Sequence, residues 1–381
     1  MSIAARAATW LSHLVQNPSV TPSQAGPRAG EPGEARVADF VTKWFKRLGG
    51  DVVVDEVAPG RPNIYGLWPG QTESWIAVDV HIDTVGVEQM TGEPFSGEIR
   101  DGRVWGRGAV DTKATLGVIL AVIEEMQMTH QIPQASLIIG ATVDEEVSTL
   151  GAPAFAKFLE ELPFDVDQLI VGEPTQCVPV IGHAGVARFE LTFHGEAAHS
   201  SQPHLGRNAI VAAARTVVAF ADEHERLQVQ TAAKLGHPSL TSTIIKGGAG
   251  ENIVPDHCTL YVDRRVMDGE DPRTVIDELY AMAQQEAKLP VELTRKLQIP
   301  AFYQSAESAW INQLAEWSGS APKFEPYGTN AWAYGNLPCE TVVLGPGSVA
   351  QAHGAEEWVE IAELEKISQI YAKWWGLNFD E

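Results

Sequence analysis

Four short stretches of this chain, at about 62–67, 74–81, 136–143 and 168–172, are apolar at nearly every position. A strand with one wet face alternates polar and apolar residues, whereas a strand that is apolar on both faces has to lie between helix layers. Helical patterns at about 111–128 and 150–161 separate the later stretches. A stripe of Val37, Phe40, Val41, Trp44, Phe45 and Leu48, stopped by Gly49, marks another helix within 32–50. Asp101-Gly102, inside E-I-R-D-G-R-V-W, signals a hairpin. The first 180 residues therefore predict an α/β fold, a mixed and mostly parallel sheet between helices.

From about residue 184 the pattern changes. In R-F-E-L-T-F, Phe189, Leu191 and Phe193 point one way and Arg188, Glu190 and Thr192 the other. A helix near 208–226, strands near 239–246 and 257–266, a helix opened by Asp271-Pro272 and a strand near 291–298 follow. That order, βαββαβ, is a ferredoxin-like α+β unit. The chain then returns to apolar strand at T-V-V-L-G-P-G and closes on a helix at about 360–376. The expected organisation is a catalytic domain over 1–182 and 297–381, interrupted by an inserted domain over 183–296. The Pro-, Gly- and Ser-rich region 21–34 reads as a surface loop.

With 381 residues, 44% of them hydrophobic, the chain is long and apolar enough for a full core. Its formal net charge of -23 repels phosphate backbones and anionic lipid, so nucleic acid and membrane surfaces are poor partners. Cys177, Cys258 and Cys339 are scattered, which speaks against a disulfide framework or a thiolate zinc site. The N-terminal segment is broken by Arg6, Ser12 and His13 and reads as an amphipathic helix rather than a signal peptide. A cytoplasmic setting is expected.

Five residues of metal-ligand type stand in turns along the chain: His81, Asp111, Glu146, Glu173 and His353. Each has a bland alternative. His81 with Asp83 two residues on reads equally as a buried histidine on a nearby aspartate, and Asp111 as a helix cap. Glu145-Glu146 reads as a solvated turn, Glu173 as an ordinary strand end, and His353 as a surface residue. Together they suit a pair of Zn²⁺ ions, which takes imidazoles and carboxylates with one carboxylate able to bridge. Asp111, opening a helix after G-R-G-A-V, is placed to bridge. Asp83 is placed to accept the second imidazole N–H of His81 and fix its tautomer. Glu145, left without ligand duty, is the natural general base for the attacking water.

The motif series H-x-D, G-R-G-x-x-D-x-K, D-E-E, G-E-P-T and G-P-G…A-H resembles that of the zinc-dependent amidohydrolases and exopeptidases. These include acetylornithine deacetylase, succinyl-diaminopimelate desuccinylase, aminoacylase and glutamate-releasing carboxypeptidases. The resemblance runs over nearly the whole chain. It implies two Zn ions per chain, with Co as a possible substitute. His81, Asp111 and Glu173 would hold one, Asp111, Glu146 and His353 the other, and Glu145 would be the base. It also implies a cis Asp111-Thr112 peptide bond. H-G-E-A-A-H-S-S-Q-P-H resembles the family's lid motif, in which His199 would reach a partner subunit's site and stabilise the oxyanion. Asn252, in G-G-A-G-E-N-I-V-P-D, matches the lid loop, and Arg265 matches an arginine for the substrate carboxylate, with Arg264 beside it as the alternative. A salt-bridged strand residue is the competing reading of Arg265. His194 and His204 read as surface residues.

The resemblance is greatest to the acetylornithine deacetylase branch, with two departures. Ala184 stands where relatives usually carry lysine, and Asn330, at the substrate end, where they usually carry aspartate. The expected function is hydrolysis of the amide of N-acyl amino acids by a homodimer formed through the inserted domain. The alternatives are a metallo-dipeptidase or carboxypeptidase of the same fold, and a catalytically silent homologue.

Overall fold

The computed structural model describes residues 1–229 and 234–379. Helix α1 (Ile3–Val15) opens the chain, its first turn capped by the Ser2 hydroxyl, which accepts the Ala5 N–H. Helix α2 (Ala35–Arg47) buries Val37, Ala38, Val41 and Phe45. Strands β1 (Asp51–Ala58), β2 (Arg61–Trp68) and β3 (Trp75–His81) follow. The hairpin of β4 (Glu98–Arg100) and β5 (Arg103–Trp105) turns at Asp101 and Gly102, both with positive φ, as expected of that dipeptide. Helix α3 (Lys113–Met128), β6 (Ser136–Thr142), α4 (Gly151–Glu160) and β7 (Gln168–Val171) complete the first catalytic stretch.

After β8 (Val180–His183) come β9 (Gly185–His194), the short β10 (Ala198–His199) and α5 (Ala209–Gln228). Next are β11 (Ser239–Gly247), β12 (Ile253–Val254), β13 (His257–Val266), α6 (Pro272–Ala287), β14 (Val291–Ile299) and β15 (Phe302–Tyr303). The chain ends with α7 (Ala309–Ser318), β16 (Lys323–Glu325), β17 (Glu340–Val343), β18 (Trp358–Glu360) and α8 (Ile361–Trp374).

The chain divides into two compact units. In the larger one the sheet runs β1-β2-β6-β3-β7-β17. The first two strands pair antiparallel, while β6, β3, β7 and β17 run parallel. Every residue of β6 is buried, as both-face apolarity demands. Helix α3 is apolar nearly all round and buried over Lys113–Ile123. It lies tight against α1, where a Cβ at Gly117 would stand 3.0 Å from the Leu11 backbone nitrogen.

The smaller unit, Gly182–Tyr303 with Phe324–Gly328, carries an antiparallel sheet of order β11-β13-β9-β14. Phe189, Leu191 and Phe193 pack under α5 and α6 with Phe220, Ile276 and Leu279. The βαββαβ order is the one expected. Its last strand runs past the expected end at 296, since Ile299 still pairs with Val186.

Region 21–34 is more than a surface loop. Ala29 and Glu34 are fully buried, and the Glu34 carboxylate accepts from Arg61 Nε at 2.9 Å. Among the described residues no helix is long and apolar enough to cross a membrane.

Candidate metal centre

Parallel pairing brings the C-terminal ends of β6, β3, β7 and β17 to one edge of the sheet, where open α/β sheets build their sites. His81 ends β3, Glu145 and Glu146 follow β6, Glu173 follows β7, and His353 lies in the loop after β17. Asp111 stands one residue before Thr112, the cap position of α3, and two before Lys113, which starts the helix. It lies behind Gly106 and Gly108, which both have positive φ, and its peptide bond to Thr112 is cis. The Thr112 hydroxyl donates to the Gly172 carbonyl, which ties this turn to the Glu173 loop.

The geometry gathers all five candidate ligands. His81 Nδ1–H donates to the Asp83 carbonyl at 3.2 Å. A carbonyl can only accept, so that bond places a proton on Nδ1 and leaves Nε2 as the ligand atom once its own proton is displaced. Nε2 faces Asp111 Oδ1 at 3.0 Å and Glu173 Oε1 at 3.7 Å. The other aspartate oxygen, Oδ2, stands 3.1 Å from His353 Nε2, which also lies 3.0 Å from Glu146 Oε2. Asp111 thus turns one oxygen to each imidazole. Ligand atoms of His81, Asp111 and Glu146 all lie within 4.8 Å of one another.

Burial raises the pKa of Glu173 and Glu145 well above the carboxylate range; the His81 charge opposes this and neighbouring carboxylates add to it. Glu146 is pushed up to about 7 by burial and by the Asp111 charge. Burial works to raise the Asp111 carboxyl too, but hydrogen bonds from His353 and His81 outweigh it and hold it low. His353 is raised to about 10 by its contacts with Asp111 and then Glu146. Such crowding of acids around two imidazoles is a donor set that fits divalent cations.

Two expected roles take another form. Asp83 receives the His81 Nδ1–H through its carbonyl, with its carboxylate Oδ1 farther off at 3.5 Å. The carboxylate also accepts from the Glu145 and Glu146 backbone N–H groups at 3.0 and 3.1 Å, holding the loop that carries the base. Asn330, expected at the substrate, is 1% exposed. Its amide donates to Asp79 Oδ2 at 3.0 Å, beside the Tyr334 hydroxyl, which donates to the same oxygen at 2.7 Å. A buried carboxylate needs such donors, and they occupy the Asn330 amide NH₂.

Sequence reading missed Arg61. Its guanidinium links buried Glu34 to Asp144, whose Oδ1 lies 2.7 Å from Nη1. Asp144 has φ of 63°, and the ion pair holds this left-handed turn just before Glu145. A charged residue inside R-P-N-I-Y-G, entering an otherwise apolar strand, was the available signal.

In the smaller unit, β10 pairs with β12, setting His199 opposite Ile253, and the Asn252 carbonyl accepts the Ser200 N–H at 2.9 Å. His199 is exposed, with Nδ1 2.8 Å from the Ser201 hydroxyl. The structure therefore brings His199 and Asn252 together. Arg264 is buried against Glu270 at 2.7 Å, whereas Arg265 is partly exposed, 3.0 Å from Asp263. Of the two, Arg265 is the one available to a ligand, though it has the ion-pair partner of its competing reading. Ala184 is buried, and His194 and His204 are exposed.

The family model for Peptidase family M20/M25/M40 matches residues 77–376. An acetylornithine deacetylase of Vibrio campbellii is 31% identical over 350 residues, covering 90% of this chain and 91% of that one. A tripeptidase from Staphylococcus aureus superposes with a TM-score of 0.77 at 22% identity, covering 96% of each chain. A Bacillus subtilis protein described as a dinuclear metal binding peptidase from the M20 family does so with a TM-score of 0.69 at 14% identity, covering 99% of each. With its ligand-type residues gathered at one sheet edge and the family model spanning most of its length, this chain is a hydrolase belonging to peptidase family M20/M25/M40.

Proposed function

We propose that this hydrolase cleaves the amide bond of N-acyl amino acids at a centre for two zinc ions, with cobalt as a substitute. One observation carries the reading: Asp111 presents its two oxygens to two different imidazoles. His81, Asp111 and Glu173 would hold one ion, and Asp111, Glu146 and His353 the other. Ions bound there would polarise the amide carbonyl and make water acidic enough to attack at neutral pH. Glu145 takes the proton of the attacking water and returns it to the leaving amine. A carboxylate left outside the ligand set can take that proton and give it back. Asp83 orients it through the backbone. His199 supplies a hydrogen bond to the oxyanion, and Arg265 holds the substrate carboxylate, with Asn252 ordering the loop beside His199.

A homodimer through the smaller unit belongs to this reading. Among the described residues β11 has one open edge, and it exposes Ile244 and Ile245. Val211 and Val218 are exposed on the adjacent α5. An apolar edge of that kind invites pairing with a second copy. A cytoplasmic setting is also proposed, on the three scattered free cysteines.

The relatives' names suggest acetylornithine as a substrate, and the fold neighbours suggest peptides. Asn330 is buried with its NH₂ held on Asp79, so only its neutral Oδ1 is left to accept from a basic substrate tail, without the charge of an aspartate. Hydrolysis of N-acetyl, N-formyl and N-succinyl amino acids and of dipeptides, compared by kcat/KM in zinc-loaded enzyme, tests the reading. Preference for dipeptides over every N-acyl amino acid would replace it with the peptidase alternative. His199→Ala should lower kcat far more than it raises KM.

A further inference from the structure

We propose that the buried ion pair Arg107–Glu357 is a positioning device for the half of the centre built on His353. This inference rests on the two-ion reading above. Pairing of β5 with β18 sets Trp105 opposite Trp358, which brings the following Gly106 and Arg107 beside the preceding Glu357. Both side chains are almost wholly buried, and the Arg107 guanidinium donates through Nη1 to Glu357 Oε2.

Each partner then reaches a different ligand loop. Glu357 Oε1 accepts the backbone N–H of Val110 at 3.0 Å and of Asp111 at 3.2 Å, so it fixes the aspartate that faces both imidazoles. Arg107 Nη2 donates to the Gly354 carbonyl at 3.3 Å, one residue beyond His353, and to the Gly86 carbonyl at 3.2 Å. A single guanidinium–carboxylate unit thereby ties the Asp111 turn, the His353 loop and the loop after Asp83. His353 needs such support. It has φ of 61°, and no strand carries it. Buried ion pairs add little to stability relative to well-packed apolar replacements, so geometry is the better account of this one. Arginine is required because its planar fork serves a carboxylate and two carbonyls at once, which an ammonium on a flexible stem does not.

The test is calorimetric titration of metal-stripped protein with Zn²⁺, alongside melting of the stripped protein. Two variants are compared with wild type. Arg107→Lys keeps the charge but loses the fork. The double variant Arg107→Met with Glu357→Gln leaves no unpaired buried charge and keeps an acceptor for the Val110 and Asp111 N–H groups, so it folds even if the single variant does not. The expected result is a weaker-binding ion with affinity reduced about 10–100-fold in both variants, a tighter ion left unchanged, and stripped-protein melting close to wild type in the double variant. Unchanged affinities for both ions would overturn the clamp alone. So would equal weakening of both ions together with loss of melting temperature, which is the mark of a merely structural pair. A wild-type chain that takes up a single ion would overturn the two-ion reading, and the clamp with it.

Discussion

His81 and His353 meet the same aspartate, yet their surroundings are opposite. The His81 side chain is 1% exposed, and its ring is set by the end of a central strand and by the Asp83 carbonyl. The His353 side chain is 52% exposed and stands on a loop with positive φ, braced at the next residue by Arg107. Ligands on strands are held more precisely than ligands on loops. The sheet thus preforms one half of the centre, and three loops assemble the other. The His81 half should bind its ion first and most tightly, and the His353 half should exchange.

The harshest way to break this comparison is to remove what the halves share. Asp111→Asn loses the charge and turns an NH₂ toward one imidazole. Both ions should be lost on dialysis and turnover should fall below detection. One ion kept at full occupancy would show that the carboxylate is not shared. Glu145→Gln leaves both halves intact, since Glu145 makes none of the imidazole–carboxylate contacts that define them. Turnover should fall about 10²–10⁴-fold, the usual contribution of a general acid–base group, with ion content unchanged by metal analysis. Loss of an ion in this variant would move Glu145 into the ligand set.

A smaller effect separates the halves by pH. Without bound ions the His353 pKa is raised from the ordinary histidine value of about 6.5 to about 10 by its contacts with Asp111 and then Glu146. A raised histidine adds stability that is full below about pH 6.5 and lost as pH rises through about 10. Loading this half displaces that proton, so its affinity should rise up to about tenfold per pH unit between pH 7 and 9. Titrations in buffers of different ionisation enthalpy would report the released proton, and a pH-independent second event would contradict the assignment.

Much of this was legible in the residues. Strands β2, β3, β6 and β7 fell within two residues of expectation, because burial on both faces leaves a run no polar residue can enter cheaply. Strand β1 was not read at all. It is an edge strand with Val53 and Val54 exposed, so its apolar pattern reports no core face. His81, Asp111, Glu146 and Glu173 were visible because each stands at or just beyond a strand end or just before a helix, whereas His353, on a loop, was visible only through the G-P-G…A-H motif. Their supports were not. Asp83 looks the same in sequence whether its carboxylate meets an imidazole or two backbone amides. Asn330 finds Asp79, 251 residues away, and Arg107 finds Glu357, 250 residues away, through pairings that no local pattern encodes.

The most direct test of the two-halves account is the ion content of His353→Ala against wild type, measured after zinc loading and dialysis. The account predicts two ions per wild-type chain and one in the variant. The retained ion should sit in the His81 half, because that half keeps all of its own side chains. A variant that still holds two ions, or that loses both, would contradict it.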